Sequence, residues 1–219
     1  MRSVRLWYKK SGLAIYTSHL DMNRCFTRAV RRARIPLWYT EGFNPHPYMT
    51  FLLPLPLGQT GLCEPIDLRI EGEITDEEIR ARMNAALPEG LEIVAVTAPV
   101  QKANEIAAAD YTITLTFASA GEAEGFAAGA AAVMESGELN AEKRSKRGVK
   151  TVNLCTLVRR FSCAAADCTV QIAATLAAGS TVNLNAELLV QALLSEFAAA
   201  AQFAVTRTAL LCADLTAFS

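Results

Sequence analysis

Ser18-His-Leu-Asp-Met-Asn-Arg-Cys-Phe-Thr-Arg-Ala-Val-Arg-Arg-Ala-Arg-Ile-Pro36 is a helix that marks both of its own ends. Ser18 can cap it, with Asp21 three residues on as a weaker form of the Ser-x-x-Glu box, and Pro36 stops it because proline lacks the N–H a helix needs. Between them Met22, Cys25, Phe26, Ala29, Val30 and Ala33 recur at spacings of three and four, which makes one apolar face. Arg24, Arg28, Arg31 and Arg32 fall mostly on other faces, so the helix is apolar on one side and strongly basic on another.

The flanking sequence sets what this helix connects. Val4–Tyr8 alternates as a strand does, and Lys9–Gly12 reads as a turn. After a Gly/Pro-rich loop at Gly42–Pro47, Tyr48–Leu57 and Ile66–Glu71 read as strands joined by a turn near Gly58–Gly61, which makes a hairpin. Thr75, followed by Asp76, Glu77 and Glu78, caps a second helix running to about Leu87, and Leu91–Thr97 is a last strand. The order β-α-β-β-α-β predicts a ferredoxin-like unit, a four-stranded antiparallel sheet with two helices on one face.

The second half repeats the order without visible sequence identity. Tyr111–Phe117, Lys150–Val158, Cys168–Leu176 and Phe203–Leu211 read as strands, with helices over Gly121–Ser136 and Asn185–Ala200. The expected fold class is therefore α+β, with two tandem ferredoxin-like domains over residues 1–100 and 108–219, the second carrying a basic loop at 143–150.

The composition excludes several classes. With 219 residues, 52% of them hydrophobic and 20% charged, the chain is not disordered. No apolar run reaches the eighteen or so residues of a membrane span, so no membrane helix is expected. The six cysteines are scattered and the start MRSVRLWYKK lacks an apolar leader, which points to a cytoplasmic protein with reduced thiols. No clustered Cys/His spacing calls for a metal held by this chain, and the common nucleotide-binding and hydrolase signatures are missing. A net charge of −1 taken alone argues against nucleic acid, but along the chain it resolves into +7 over residues 1–50, −12 over 51–142, +7 over 143–160 and −3 over 161–219. The neutrality is a cancellation, and each basic block falls in a different expected domain.

Three features exceed what a core requires. Ser18-His-Leu-Asp21 opens the arginine helix, where free N–H groups and the positive end of the dipole favour an anion; His19 would be a donor or general acid/base there. The plain alternative is a cap in which Ser18 and Asp21 satisfy backbone donors. Gly42, Phe43, Asn44, Pro45, His46 and Pro47 form a loop stiffened by proline, as a recognition loop is, or a simple turn before a strand. His19, Asp21 and His46 are the candidates for an acid/base site, although a helix of about 25 Å should hold the two histidines apart unless the loop folds back. Lys143, Arg144, Lys146, Arg147 and Lys150, with Arg159 and Arg160 beyond, form a candidate phosphate clamp; a solvated loop is the alternative. With Trp7, Tyr8, Trp38, Tyr39 and Phe43 available for stacking, this is the mixture of a single-stranded RNA binder.

Five ordered motifs carry a family resemblance: Ser18-His-Leu-Asp21, Arg28-Ala-Val-Arg-Arg-Ala33, Gly42-Phe-Asn-Pro-His-Pro47, Pro54-Leu-Pro-Leu-Gly58 and Glu64-Pro-Ile-Asp67, with Lys146-Arg-Gly-Val-Lys150 as a looser echo. On these the chain resembles the radical-SAM-associated domain family of unknown function, also called radical SAM-linked proteins. In that family the domain is typically fused to the C-terminal end of a radical SAM enzyme or encoded beside one, often near an RNA-processing ribonuclease and large-subunit ribosomal proteins. This chain begins at the domain and has no Cys-x-x-x-Cys-x-x-Cys cluster, so the resemblance implies the stand-alone form. It implies no cofactor in this chain, with the iron–sulfur cluster and S-adenosylmethionine residing in a partner enzyme.

The leading expectation is thus a non-catalytic accessory protein of a radical SAM enzyme that binds RNA, ribosomal or transfer, through Arg24, Arg28, Arg31, Arg32 and the 143–150 segment. Two others stand beside it: an acid/base or ribonuclease-like enzyme using His19, Asp21 and His46, and a docking module that engages the radical SAM enzyme without nucleic acid.

Overall fold

A computed structural model describes residues 1–43, 45–145 and 148–219, with backbone alone for the described part of 143–150. Two units divide the chain: Met1–Glu105 with Phe218–Ser219, and Ile106–Ala217.

In the first unit β1 (Arg2–Lys10), α1 (His19–Arg32), β2 (Met49–Phe51), β3 (Thr60–Ile70), α2 (Asp76–Ala86) and β4 (Leu91–Thr97) follow in turn. The sheet order is β4-β1-β3-β2, antiparallel throughout, with Leu6 opposite Ile66 and Val96, and Met49 opposite Leu68. Period two along β1 sends Val4, Leu6 and Tyr8 into the core, where they meet Met22, Phe26, Ala29 and Val30 of α1 and Ile79 and Met83 of α2. Phe26 anchors this layer, its ring 5.1 Å from that of Tyr8 and 5.6 Å from that of Phe51.

Two expectations change here. The turn foreseen at Lys9–Gly12 begins later, because Lys10 continues the inward register, is 1% exposed and donates from Nζ to the Thr17 carbonyl at 3.0 Å. A 3₁₀ turn at Gly12–Tyr16 then carries the chain to α1. The long strand expected over Tyr48–Leu57 shrinks to three residues, since Pro54 and Pro56 have no N–H to give a ladder, while β3 begins earlier than Ile66.

On the opposite sheet face Arg5 is fully buried. Its guanidinium makes a two-pronged contact with Asp67 at 2.7 and 3.0 Å, donates to the carbonyls of Gln101 and Ser219 at 2.7 Å each, and lies 4.6 Å from the Phe218 ring centre. A buried cation needs this many partners to offset its lost hydration, so Arg5 clasps the chain's last residues onto the first unit.

The second unit runs β5 (Ala108–Thr116), α3 (Ala120–Ser136), β6 (Asn140–Ser145), β7 (Gly148–Asn153), β8 (Val158–Ala166), β9 (Thr169–Ala177), α4 (Ala186–Glu196) and β10 (Gln202–Leu211). Its sheet order is β10-β5-β9-β8, antiparallel, and β6 with β7 forms a separate two-stranded ribbon. The strand expected over Lys150–Val158 ends at Asn153 as part of β7, a 3₁₀ turn follows over Leu154–Leu157, and a further strand, β8, occupies Val158–Ala166. The Asn153 side-chain oxygen accepts from the N–H of Leu139 and Cys155 at 3.2 and 3.1 Å, and its amide donates to the Gly137 carbonyl at 2.8 Å. That closes the ribbon's base and starts the 3₁₀ turn Leu154–Leu157 leading into β8. The core is built of Ile113, Leu115, Phe126, Ile172, Leu189 and Leu193 with many alanines. Close packing extends to Gly129, where a Cβ would stand 2.6 Å from the Phe197 ring. The architecture is mixed α+β with antiparallel sheets and, among the described residues, four α-helices. None of these is long and apolar enough to cross a membrane.

Candidate nucleic-acid interface

The predicted cap of α1 forms as read. Ser18 accepts from the Asp21 N–H at 3.2 Å and donates its hydroxyl to the Asp21 carboxylate at 2.7 Å, and Arg24 pairs with the other oxygen at 3.2 Å. The Ser18 hydrogen bond first, then the Arg24 guanidinium, hold the Asp21 carboxyl below its ordinary value. Asp21 therefore spends both oxygens on the helix's own start. His19 is exposed and lies edge-on to Phe51, ring centres 5.2 Å apart.

The apolar stripe of α1 is buried, which turns Arg24, Arg28, Arg31 and Arg32 outward. No side-chain hydrogen bond or ion pair among the described residues engages the guanidinium of Arg28 or Arg31. Arg31 and Arg32 stand in the last turn, where the helix dipole favours cations, so part of this charge serves the helix itself. Arg32 also donates to the Ala86 carbonyl at the end of α2. Together with Arg82 it flanks a groove of about 570 Å³ floored by Ala33, Ala85, Ala86, Leu87 and Pro88. A groove with a guanidinium on each side and an apolar floor can take a phosphate beside a sugar or base. Arg82 was not singled out by sequence; in the structure it also pairs with Glu78, one turn earlier on α2, at 3.0 Å.

The Gly42–Pro47 segment is the tip of an excursion from the sheet edge. Leu37 pairs with Ile70, and the N–H of Trp38 donates to the Arg69 carbonyl at 2.8 Å before the chain departs. Inside the excursion the Thr40 N–H donates to the His46 carbonyl at 2.9 Å, the Thr40 hydroxyl lies 3.0 Å from His46 Nδ1, and the Tyr48 N–H returns to Trp38 at 3.0 Å. Arg69 braces the base, its guanidinium 5.0 Å from the Trp38 ring centre and 4.6 Å from that of Tyr48. Gly42, with φ at +133°, adopts a backbone conformation that a side chain would resist. Phe43 beside it is fully exposed, Pro45 and His46 are exposed, Pro47 is buried, and Asn44 lies outside the described residues. His19 and His46 thus rest on different partners, Phe51 and Thr40.

In the second unit Lys143 stands opposite Lys150 and Arg144 opposite Val149 on the β6–β7 ribbon, whereas Lys146 and Arg147 lie outside the described residues. The basic segment is for the most part strand, and a β-ribbon is a standard way to present cations to a phosphate backbone. Of the aromatics named for stacking, Tyr8 is core, Trp7 donates to Thr97 at 3.0 Å and meets Phe218 edge-on, and Trp38 is taken by Arg69. Tyr39 and Phe43 remain exposed.

Three buried polar side chains that sequence reading missed stand at the end of β1, just before β3 and within β3. Lys10, Gln59 and Glu64 are 1%, 3% and 1% exposed. Lys10 is opposite Gly61, over which the Glu64 side chain folds so closely that a Cβ there would be 2.5 Å from its Oε1. The Gly-x-x-Glu spacing before Pro65 is the signal that could have found it. Among the described residues no group of three or more His, Cys, Asp or Glu side chains could hold a metal ion, and all six cysteines are free.

A mixed α+β chain with antiparallel sheets and four exposed arginines on one helix is the class these observations define. The chain belongs to the family described as "Uncharacterized protein conserved in bacteria (DUF2344)", whose model matches residues 3–186. No curated protein matches it. Among solved structures, an unknown protein from Galdieria sulphuraria is similar over 94% of this chain and 98% of that chain, at 11% identity and a TM-score of 0.27, a likeness too distant to argue from.

Proposed function

We propose that this protein is a non-catalytic accessory factor that binds RNA through the outer face of α1 and the β6–β7 ribbon and presents it to a radical SAM enzyme. The observation that carries the RNA reading is the pair Arg28 and Arg31, exposed on a helix whose other face is buried, their guanidinium groups without a hydrogen bond or ion pair among the described residues. The partner class rests on the family resemblance in residues 1–70, and it leaves the iron–sulfur cluster and S-adenosylmethionine with that enzyme, in the cytoplasm. The strand order of each unit, fourth-first-third-second, supports reading both as ferredoxin-like domains.

The test is a salt titration of binding to single-stranded RNA. Affinity should fall steeply with salt, and Arg28→Ala with Arg31→Ala should weaken binding about equally for all sequences while lowering the salt slope by about 2. No binding at low salt overturns the reading. The acid/base alternative finds less support, because Asp21 is committed to Ser18 and Arg24.

Docking through the Gly42–Pro47 loop has its own supporting observation: a fully exposed Phe43 on a braced excursion. An exposed aromatic on a stiff support is what an interface anchor needs. Phe43→Ala should abolish co-purification of the partner enzyme and leave RNA affinity unchanged; retained co-purification removes this role.

A further inference from the structure

β8 is the outer strand of its sheet, and β9 is its only strand partner among the described residues. Every second residue of an outer strand turns its N–H and C=O away from the sheet, a template for one more strand. Val158-Arg-Arg-Phe-Ser-Cys-Ala-Ala-Ala166 carries none of the usual protections over its last six residues: no proline, no lysine and no charge. Beside it runs a groove of about 330 Å³, lined from α3 by Ala131, Met134 and Glu135 and from the strand by Arg159, Phe161 and Cys163.

Charge along this edge is graded. Arg159 and Arg160 stand at its start, and Asp167, exposed, follows its end. The C-terminal turns of α3 flank the start of β8, so its first turns flank the end. Glu124 shares the groove-side face with Ala131 and Glu135 by i, i+7, i+11 spacing. The strand itself is therefore basic at its start and acidic just past its end, while Glu135 of α3 lines the groove beside the arginines.

We propose that β8 pairs with β8 of a second copy of this chain, antiparallel about a two-fold axis at Cys163. Arg159 of each copy then stands opposite Asp167 of the other, and Arg160 opposite Ala166. The register shift between Val158 and Arg160 takes Arg159 out of the β9 ladder, leaving it free to reach across. Arg160 keeps its own partners, with Nε donating to Thr175 at 3.0 Å and the guanidinium 3.8 Å from Asp110. A parallel pairing would set arginine on arginine, and an antiparallel one centred nearer the strand start would crowd the four guanidinium groups. The two-fold arrangement satisfies both ends at once, as an isologous interface must.

Sedimentation of the full chain across the micromolar range should show a monomer–dimer equilibrium. Arg159→Glu should weaken the dimer roughly tenfold, since it turns two attractive contacts repulsive. Asp167→Asn should weaken it less; asparagine is the safe replacement because Asp167 has φ of +51°. A variant keeping Cys163 as its one cysteine should be captured as a dimer by a short thiol–thiol cross-linker, a result that needs no change in the strand's charge. A chain that stays monomeric with no Cys163 cross-link overturns the proposal. So does a dimer indifferent to both charge changes, which would place the contact elsewhere.

Discussion

The two units share a strand order and treat their outer strands in opposite ways. In the first unit β2 is cut to three residues, with Pro47 before it and Pro54 and Pro56 after it. At β4 the Asn84 side chain of α2 bonds both backbone groups of Ile93, accepting from its N–H at 2.7 Å and donating to its carbonyl at 3.0 Å, with Arg80 on the same carbonyl at 3.3 Å. The outward-facing N–H and C=O of Ile93 are thus occupied by side chains. In the second unit β8 runs nine residues without such a guard. The helix beside it is rich in alanine and glycine, and no side chain of it bonds the β8 backbone among the described residues. The lesson is that one topology can be closed or left open for association by the helix packed next to its edge.

The first unit's reliance on polar closure should show most at its buried clasp. Asp67→Ala leaves the fully buried Arg5 without its carboxylate, and by analogy with broken buried pairs should cost about 3–5 kcal/mol. Denaturant unfolding measures this directly. A loss under 1 kcal/mol would mean the carbonyls of Gln101 and Ser219 suffice.

Asn84→Ala sharpens the edge comparison itself. It strips two bonds from a part-buried backbone and should cost about 2 kcal/mol, while faster amide exchange should appear at Ile93. If β4 exchanges no faster, Asn84 does not guard the edge.

The second unit's counterpart is steric. Gly129→Ala drives a methyl into Phe197 and should cost about 1 kcal/mol, net of alanine's better helix propensity, because the ring can shift only against Phe126, 5.8 Å away. A stabilised variant would show that this small-residue packing has slack.

Legibility in the sequence follows the same division. Where the information is local, the reading holds residue by residue: the Ser18 cap, the stripe from Met22 to Val30 and the Thr75 cap all lie within one or two helical turns. The β6–β7 ribbon and β8 escaped because Cys163-Ala-Ala-Ala166 has no alternation and a run of lysine and arginine looks like a loop. Lys10 and Glu64 look like surface charges from sequence; their burial depends on strands brought together from distant segments. Arg69 likewise gives no sign of bracing Trp38 and Tyr48, since aromatic contacts with a cation leave no periodicity. The candidate interface was therefore visible on α1, where one helix presents it, and invisible in the Arg32/Arg82 groove, which takes two helices.

The smallest expected effect belongs to the cap that opens the basic helix. Asp21 is held below its ordinary value of 3.8, chiefly by the Ser18 hydroxyl and then by Arg24. A carboxyl with a lowered folded-state value stabilises the fold in full above its unfolded value, and that contribution fades as the pH falls through the folded one. Both groups are exposed, so solvent and salt screen the interaction and the effect stays small. The expected signature is a difference between two acid titrations. At neutral pH the unaltered protein should melt slightly above Asp21→Asn, and the gap should close as acidification below about pH 4 protonates Asp21. Added salt should narrow the gap at neutral pH but leave the Ser18 hydrogen bond. A gap that persists unchanged in acid would assign Asp21's role to cap geometry alone, leaving its charge free for a cationic partner at the mouth of α1.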